Sequence, residues 1–158
     1  MCPTFNKYCS VCAPSLTVYF RSMWDMNPAV TYCKGNVVML GDAAHASTPF
    51  QGQGAGQALE DAYVLESLMA GVEKPEEAAY AFQAYDKIRR PRSQQVCKTS
   101  RDMGELVALR LPGIGDNVDL LKENIEWRMD WMWHRDVEGE VKEAKIIFNK
   151  LRKGEALN

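Results

Sequence analysis

The sequence lacks a long hydrophobic run. No stretch of it approaches the ~20 consecutive apolar residues that a transmembrane helix needs, and its first residues lack the basic segment and apolar run of a secretory leader. Charge of one sign is also missing, because the formal net charge is only −2 over 158 residues. A balanced charge does not favour nucleic acid or membrane surfaces. These absences predict a cytoplasmic protein of single-domain length with no nucleic-acid or membrane partner.

Cysteine is sparse and irregularly spaced. The five cysteines are an odd number, which argues against a secreted fold held together by disulfides. Cys9 and Cys12 form a lone Cys-x-x-Cys pair, whereas zinc or redox use requires a second pair or a βαβ context. Asp42 and His45 alone are too few ligands for a stable metal site. We therefore predict no metal, and we interpret His45 as a turn or packing residue.

Two common nucleotide-binding motifs are also absent. A Gly-x-Gly-x-x-Gly dinucleotide fingerprint starting at Gly52 would need glycine at position 57, where the sequence has Gln57. A P-loop would need Gly-Lys-Ser/Thr after its glycines, and no such triplet follows. A ligand that binds to the glycine-rich part of this chain must therefore be held by a different arrangement.

That arrangement is an apolar stretch followed by an acidic turn, a glycine-rich loop and a helix. Val37–Leu40 is apolar at every position and predicts a buried strand with neighbours on each side. Glycine then recurs at alternate positions in Gly52–Gly56, where bare backbone can approach a ligand. The next helix begins here and points the positive end of its dipole at the same place. Asp42 can accept hydrogen bonds from ligand hydroxyls, or it can be an ordinary helix cap or turn aspartate. The residue pattern leaves both readings open.

These residues resemble a known flavin-contact motif. Gly41-Asp-Ala-Ala-His45, Pro49, Gly52-Gln-Gly-Ala-Gly56 and Glu60-Asp-Ala-Tyr-Val-Leu65 look like the second such motif of class A flavoprotein monooxygenases. That family comprises the FAD-dependent aromatic hydroxylases of the para-hydroxybenzoate and salicylate hydroxylase type. The resemblance covers about residues 15–152. It implies an α/β FAD-binding fold similar to that of glutathione reductase, of which this chain is a mostly α portion with one or two short strands followed by about five helices.

The resemblance also implies an activity and a set of cofactor contacts. The activity is hydroxylation of a small aromatic substrate with FAD, NAD(P)H and O2. Asp42 would bind the ribityl hydroxyls, Pro49 would lie near the reactive edge of the isoalloxazine, and backbone N–H groups of Gly54–Gly56 would face its pyrimidine carbonyl. The implied cofactor-binding residues are Gly41, Asp42, Pro49, Gly52, Gly54, Ala55, Gly56 and Gln57. No catalytic residue is assigned.

The family's ADP-binding Gly-x-Gly-x-x-Gly is not found in this sequence, so we expect a C-terminal portion of the family fold. Residues 1–34 are interpreted as a remnant of the substrate domain or a linker, with a strand at Ser15–Phe20. Residues 35–72 form the FAD-contact strand, loop and helix, and residues 73–158 form a helical segment. Two functions remain: an FAD-dependent monooxygenase or part of one, and a non-catalytic helical remnant or interaction module. Whether the chain alone is an enzyme stays open.

Apolar periodicity predicts three helices after the glycine loop. The first runs from about Gln57 to Ala70 and the second begins at Pro75, which suits a first helical position. Pro91 must stop or kink that second helix, and the third runs from Ser93 to about Leu109. The first is expected to bury Ala58, Ala62, Leu65, Leu68 and Met69, and the second Ala78, Ala81, Phe82, Tyr85 and Ile88. Three arginines near Pro91 are interpreted as helix-end charges that pair with Asp86 or with another domain, namely Arg89, Arg90 and Arg92.

Two further helices are predicted after a loop at Leu111–Gly115. Asp116 or Asn117 caps the first of them, which is expected to be wedged between two surfaces because its tryptophans widen the apolar face. Its inner residues are Val118, Leu121, Ile125, Met129 and Met132. Asp136 caps the last helix, whose inner face is Val137, Val141, Ala144, Phe148 and Leu151, with Glu138, Glu140, Lys142 and Lys145 on the solvated side.

Overall fold

A computed structural model of the protein describes residues 23–156, which are mostly helical. This part contains two short strands and five α-helices, with 3-10 helices at Pro49–Gln51 and Pro75–Glu77. In chain order the elements are β1 (Cys33–Lys34), β2 (Val37–Val38), α1 (Asp42–His45), α2 (Gly54–Met69), α3 (Ala78–Val107), α4 (Val118–Trp133) and α5 (Val137–Arg152). The expected content of one or two strands and about five helices is confirmed. The predicted strand at Ser15–Phe20 and the Cys9–Cys12 pair lie outside the described residues.

The core lies where α2, α3 and α5 meet. Alanines that are fully buried at these contacts allow the helices to approach closely, and larger apolar side chains fill the space around them. The buried core residues are Tyr32, Ala44, Val64, Leu68, Ala81, Ala84, Tyr85, Val141, Ala144, Ile147 and Phe148. All three predicted segments of the sequence contribute to this set, and the division into segments stays a prediction.

The two strands form a small antiparallel hairpin. Cys33 lies opposite Val38, and Lys34 lies opposite Val37. The predicted buried strand at Val37–Leu40 is wrong for this part of the chain, because Val37 is 67% exposed and Leu40 is 40% exposed. A strand that is apolar on both faces needs a neighbour on each side, and within residues 23–156 β2 pairs with β1 alone.

Helix α2 begins earlier than predicted and presents a different face. It starts at Gly54 and ends at Met69, with Gly71 just beyond. Its buried residues are Gln57, Asp61, Val64 and Leu68. Leu68 was predicted, whereas the other three each lie one residue before the predicted Ala58, Ala62 and Leu65. The prediction followed apolar residues only, whereas two of the four buried side chains are polar and are held by a buried arginine described below.

Helix α3 continues through Pro91 for 30 residues. The predicted stop at this proline, with separate helices on either side, is wrong. Proline removes the hydrogen bond to the carbonyl of residue 87, but both Pro91 and Lys87 are exposed, so water can satisfy that carbonyl. Arg92 and Ser93, which follow the proline, are buried and keep the helix packed on its neighbours. The two predicted helices are therefore one.

The last two helices have the predicted caps. The Asn117 side-chain oxygen accepts the Leu120 N–H at 3.1 Å, and the Asp136 carboxylate accepts the Gly139 N–H at 2.8 Å. Such caps satisfy N–H groups that have no partner within the helix. The loop predicted at Leu111–Gly115 is present between α3 and α4.

Packing of the last two helices differs from the predictions in two respects. Helix α4 buries only Arg128 and Met132, while Val118 is 75% exposed, so the described residues cover one side of it and not two. Helix α5 packs much as predicted, but Glu140, expected in solvent, is 2% exposed. No helix in the described part of the chain combines the length and apolar character needed to cross a membrane.

Candidate functional site

The site begins at the turn between β2 and α1. Gly41 has φ 57° and ψ −144°, a conformation that side chains disfavour, and a Cβ placed there would lie 3.3 Å from the Cβ of Ala58. Its carbonyl accepts the N–H groups of Ala44 at 2.9 Å and His45 at 3.0 Å. Glycine at this position therefore lets the chain reverse sharply while α1 packs close to α2.

Asp42 is the first residue of α1 and its side chain is exposed. The cap position belongs to Gly41, so Asp42 is a first-turn aspartate and not an N-cap. Its carboxylate makes no hydrogen bond or ion pair with residues 23–156. Both carboxylate oxygens are therefore free to accept hydrogen bonds from a ligand.

The glycine loop joins the turn to α2. A 3-10 helix at Pro49–Gln51 leaves Pro49 exposed. Gly52 follows in the left-handed conformation, with φ 66°, and donates its N–H to the Pro49 carbonyl at 3.1 Å. In the part of the chain that the structure describes, no heavy atom beyond the adjacent residues lies within 4 Å of the place where a Gly52 Cβ would stand. The loop thus presents bare backbone to open space directly before α2.

The first turn of α2 offers unpaired donors. Helix geometry leaves the first N–H groups of any helix without an intrahelical acceptor, and Gln53 provides no side-chain cap. Within residues 23–156 the N–H groups of Gly54, Ala55 and Gly56 have no acceptor, and the helix ladder starts with Gln57 N–H donating to the Gln53 carbonyl at 2.8 Å. These donors and the helix dipole favour an electron-rich oxygen at this position.

Gln57 is placed differently from the other predicted contacts. Its side chain is 1% exposed. The side-chain oxygen accepts from Arg89 Nη2 at 2.8 Å, and the amide donates to Glu60 at 3.1 Å. Gln57 therefore supports the start of α2 from inside the molecule, and the structure gives no support to a side-chain contact with a cofactor.

Beneath the turn and the loop lies a buried carboxylate, Asp61, which is 0% exposed. Its Oδ2 accepts the Gly41 N–H at 3.0 Å and lies 2.5 Å from His45 Nε2. Its Oδ1 accepts Arg89 Nε at 2.9 Å. His45, interpreted from the sequence as a turn or packing residue, is the last residue of α1 and is buried. The described residues contain no group of three or more His, Cys, Asp or Glu side chains that could hold a metal.

Arg89 is the hub of this buried cluster. It is 0% exposed, and besides Asp61 its guanidinium donates to Glu60 at 2.7 Å and to Glu140 at 2.8 Å. Its interpretation as a helix-end charge is wrong, since Pro91 does not end the helix and Arg89 faces the interior. Arg90 does pair with Asp86, at 2.9 Å, as predicted.

The cluster perturbs the ionisation of its members. Burial alone would raise the pKa of Asp61, but hydrogen bonds from His45, the Gly41 N–H and Arg89 outweigh it, and the pKa is lowered. Burial likewise opposes ionisation of Glu60, yet Arg92 and Arg89 lower its pKa. The pKa of Arg89 is raised, because Asp61, Glu60 and Glu140 overcome the effect of burial. All of these groups therefore remain charged at neutral pH.

Sequence reasoning missed this cluster although a signal was present. Gln57, Asp61, Val64 and Leu68 are spaced as one helical face. If the polar residues on that face had been considered together with the apolar ones, Gln57 and Asp61 would have been predicted to be buried. Buried charges must be paired, so a partner arginine on another helix was a reasonable expectation.

The site lies within residues 13–100, which match the family model described as an FAD binding domain. The chain belongs to this family of FAD-binding domains. FAD is therefore the cofactor associated with the family. The match covers the turn, the glycine loop, α2 and α3 as far as residue 100, which includes Arg89.

Individual relatives agree with this assignment. A salicylate hydroxylase of Pseudomonas putida is 43% identical over 135 residues, which cover 85% of this chain and 31% of that protein. A 6-methylsalicylate 1-monooxygenase of Aspergillus terreus is 42% identical over 130 residues, with 80% of this chain and 29% of the relative covered. The chain thus spans about a third of the length of the curated relatives it matches.

A solved structure shows the same fold. A salicylate hydroxylase in a substrate complex superposes with a TM-score of 0.71 at 42% identity. The superposition covers 74% of this chain and 29% of the other. The fold described here is therefore that of a portion of an FAD-binding monooxygenase.

Proposed function

We propose that this chain carries the flavin-facing part of an FAD-dependent aromatic hydroxylase. The observation that carries the proposal is the pairing of an exposed, unpartnered Asp42 with the unpartnered N–H groups of Gly54–Gly56 in one strand–turn–loop–helix unit. Family membership gives that unit a cofactor. An acceptor and a row of donors in the same unit suit a ligand that carries both hydroxyls and carbonyls.

The residues of the site fit the flavin end of FAD. Asp42 would accept hydrogen bonds from ribityl hydroxyls, and the first turn of α2 would donate to the pyrimidine carbonyl. A helix N-terminus stabilises negative charge at such an oxygen by about 0.3–2 kcal/mol. The open backbone at Gly52 lets the ring approach, with Pro49 and Gly41 shaping the loop and turn on either side. When bound, FAD supplies the redox chemistry with NAD(P)H and O2 that hydroxylates an aromatic ring.

We propose the substrate and the setting of the whole protein by analogy with its relatives. The names of the two relatives given above refer to salicylate and to 6-methylsalicylate, both aromatic acids. We extend to this protein a small aromatic substrate and a nicotinamide reductant. A cytoplasmic location and the C-terminal position of this chain within the family fold also belong to the proposal.

A titration of the purified chain with flavins tests the proposal. Because the flavin-facing contacts are here and no Gly-x-Gly-x-x-Gly occurs in the sequence, FAD and FMN should bind the chain with similar affinity. Asp42→Ala should weaken both by about 10- to 100-fold, the effect of losing hydrogen bonds to a charged group. Asp119→Ala is the matched control, since Asp119 is also an exposed first-turn aspartate, at the start of α4.

The outcomes separate the two functions. Flavin binding that depends on Asp42 and not on Asp119 supports the flavin-facing site. A folded chain that binds neither FAD nor FMN would overturn it and favour the non-catalytic helical module. Binding that is equally strong in the Asp42→Ala variant would show that the flavin is held elsewhere.

A further inference from the structure

A single oxygen atom of Asp61 holds both ends of helix α1. Asp61 Oδ2 accepts the N–H of Gly41, which precedes the helix, at 3.0 Å. The same oxygen lies 2.5 Å from Nε2 of His45, the last residue of the helix. Asp42 stands between these two attachment points. Its position relative to α2 is therefore set by contacts that it does not make itself.

The fastening group is itself fixed. Arg89 Nε donates to the other oxygen of Asp61 at 2.9 Å, so the carboxylate cannot rotate without losing a charged hydrogen bond. Asp61 and Arg89 are both 0% exposed and His45 is 4% exposed. Water has no access to replace these bonds, and the arrangement is rigid.

Rigidity matters because the Asp42 side chain is exposed and makes no hydrogen bond or ion pair of its own with residues 23–156. A binding group must be held within about 0.5 Å of its productive position by supporting contacts. The only side chain that the structure bonds to both ends of α1, within the described residues, is Asp61.

We infer that Asp61 and His45 are positioning residues that hold the Asp42 carboxylate toward the ribityl hydroxyls of a bound flavin. The inference rests on the proposed function and assigns separate roles to residues of the same site. Asp42 would contact the cofactor, while His45 and Asp61 would act only through Asp42. Loss of either should weaken the recognition of the ribityl chain and leave the contact between α2 and the ring intact.

This selectivity distinguishes positioning from a general structural role. Riboflavin carries the ribityl chain, whereas lumiflavin has the same ring with a methyl group in place of the chain. A loosened Asp42 affects only riboflavin. A generally destabilised protein binds both ligands less well or simply melts earlier, with the ratio of the two affinities unchanged.

The experiment compares the ratio of riboflavin to lumiflavin affinity among variants of the full chain. His45→Leu, which cannot bond Asp61, should lower the ratio about 5- to 50-fold, approaching the effect of Asp42→Ala. His45→Gln, whose amide can still donate to Asp61, should restore most of it. Val64→Ala is the control for stability, because Val64 is 0% exposed and lies one turn after Asp61 in the core. It should lower Tm and leave the ratio unchanged.

Each result decides the inference. A ratio that falls with His45→Leu and recovers with His45→Gln supports positioning. If Asp42→Ala lowers the ratio but His45→Leu does not, positioning is overturned while the proposed function stands. If the unmodified chain binds neither ligand, both are overturned. His45→Ala, which also cannot bond Asp61, repeats the test should circular dichroism show that His45→Leu is unfolded.

Discussion

Glu60 and Asp61 are neighbours in the sequence but serve different surroundings. Asp61 is wholly enclosed and fastens α1 to α2. Glu60 is partly accessible, and its carboxylate accepts from Arg89 at 2.7 Å and from Arg92 at 2.9 Å. Each carboxylate is bonded to an arginine on α3. These bonds are one reason why the pKa of both groups is lowered despite burial.

Lowered carboxylate pKa values predict how stability depends on pH. Because Glu60 has a lower pKa when folded than when unfolded, the unfolded chain takes up the proton first as pH falls. Its contribution to stability is therefore complete above the unfolded value of about 4.3 and is lost as pH falls through the folded value. We expect the difference in unfolding free energy between wild type and Glu60→Gln to be largest at pH 6–7 and to shrink below about pH 4.

Urea unfolding at a series of pH values measures this difference. Glu66→Gln is the control, since Glu66 is an exposed residue of the same helix without a side-chain partner in the described part of the chain. Its difference from wild type should stay near zero throughout. A Glu60→Gln difference that grows on acidification would contradict the assigned direction of the pKa shift.

At the level of the element, Pro91 is the point where α3 departs from expectation. An interior proline removes one helix hydrogen bond and its ring crowds the preceding turn. Its ring is exposed, so nothing in the core depends on it. Pro91→Ala should therefore stabilise the protein by about 1–2 kcal/mol, the restored bond being partly offset by the added freedom of the unfolded chain.

Thermal and urea unfolding check this expectation against Gln95→Ala. Gln95 is exposed one turn further along α3, and its substitution should change stability by less than about 0.5 kcal/mol. Destabilisation by Pro91→Ala would mean that a bend imposed by the proline is needed to bring Arg89 and Arg92 to their partners.

The sequence predicted those features of the helices that depend only on neighbouring residues. Caps at Asn117 and Asp136 follow from a side chain and the N–H groups just after it, and both were found. The fate of Pro91 was not predictable, because long-range packing of Arg92 and Ser93 decides it. The inner face of α2 and the burial of Glu140 were missed for a similar reason: each depends on Arg89, which is distant in sequence.

The candidate site divides in the same way. The turn and the glycine loop are marked by glycines whose conformations are local properties, and the sequence pointed to both. The buried cluster beneath the site cannot be predicted from any one segment of the sequence. Asp61 bonds Gly41, His45 and Arg89, which are 20, 16 and 28 residues away from it in the sequence. Only the fold shows that Gln57 turns inward.

For the molecule as a whole, Arg89 is the place where site and core meet. It bonds Asp61 and Glu60 on α2 and Glu140 on α5 from its own position on α3, so one side chain connects the three helices of the core. Its removal leaves the enclosed Asp61 without the arginine that bonds it. Of its two arginines Glu60 would keep Arg92, and Glu140 would lose its bond to Arg89 while it keeps Arg135. We expect Arg89→Gln to lower the unfolding free energy by about 3–5 kcal/mol, the usual effect of breaking a buried pair. That loss is a large fraction of the ~5–15 kcal/mol total for a typical domain. Arg90→Gln provides the comparison, because Arg90 is the next residue, is partly exposed and, among residues 23–156, pairs with Asp86 alone. Such an exposed salt bridge is worth about 0–1 kcal/mol. In urea unfolding, the loss of unfolding free energy should therefore be several-fold larger for Arg89→Gln than for Arg90→Gln. Similar losses would show that the buried cluster does not hold the helices together.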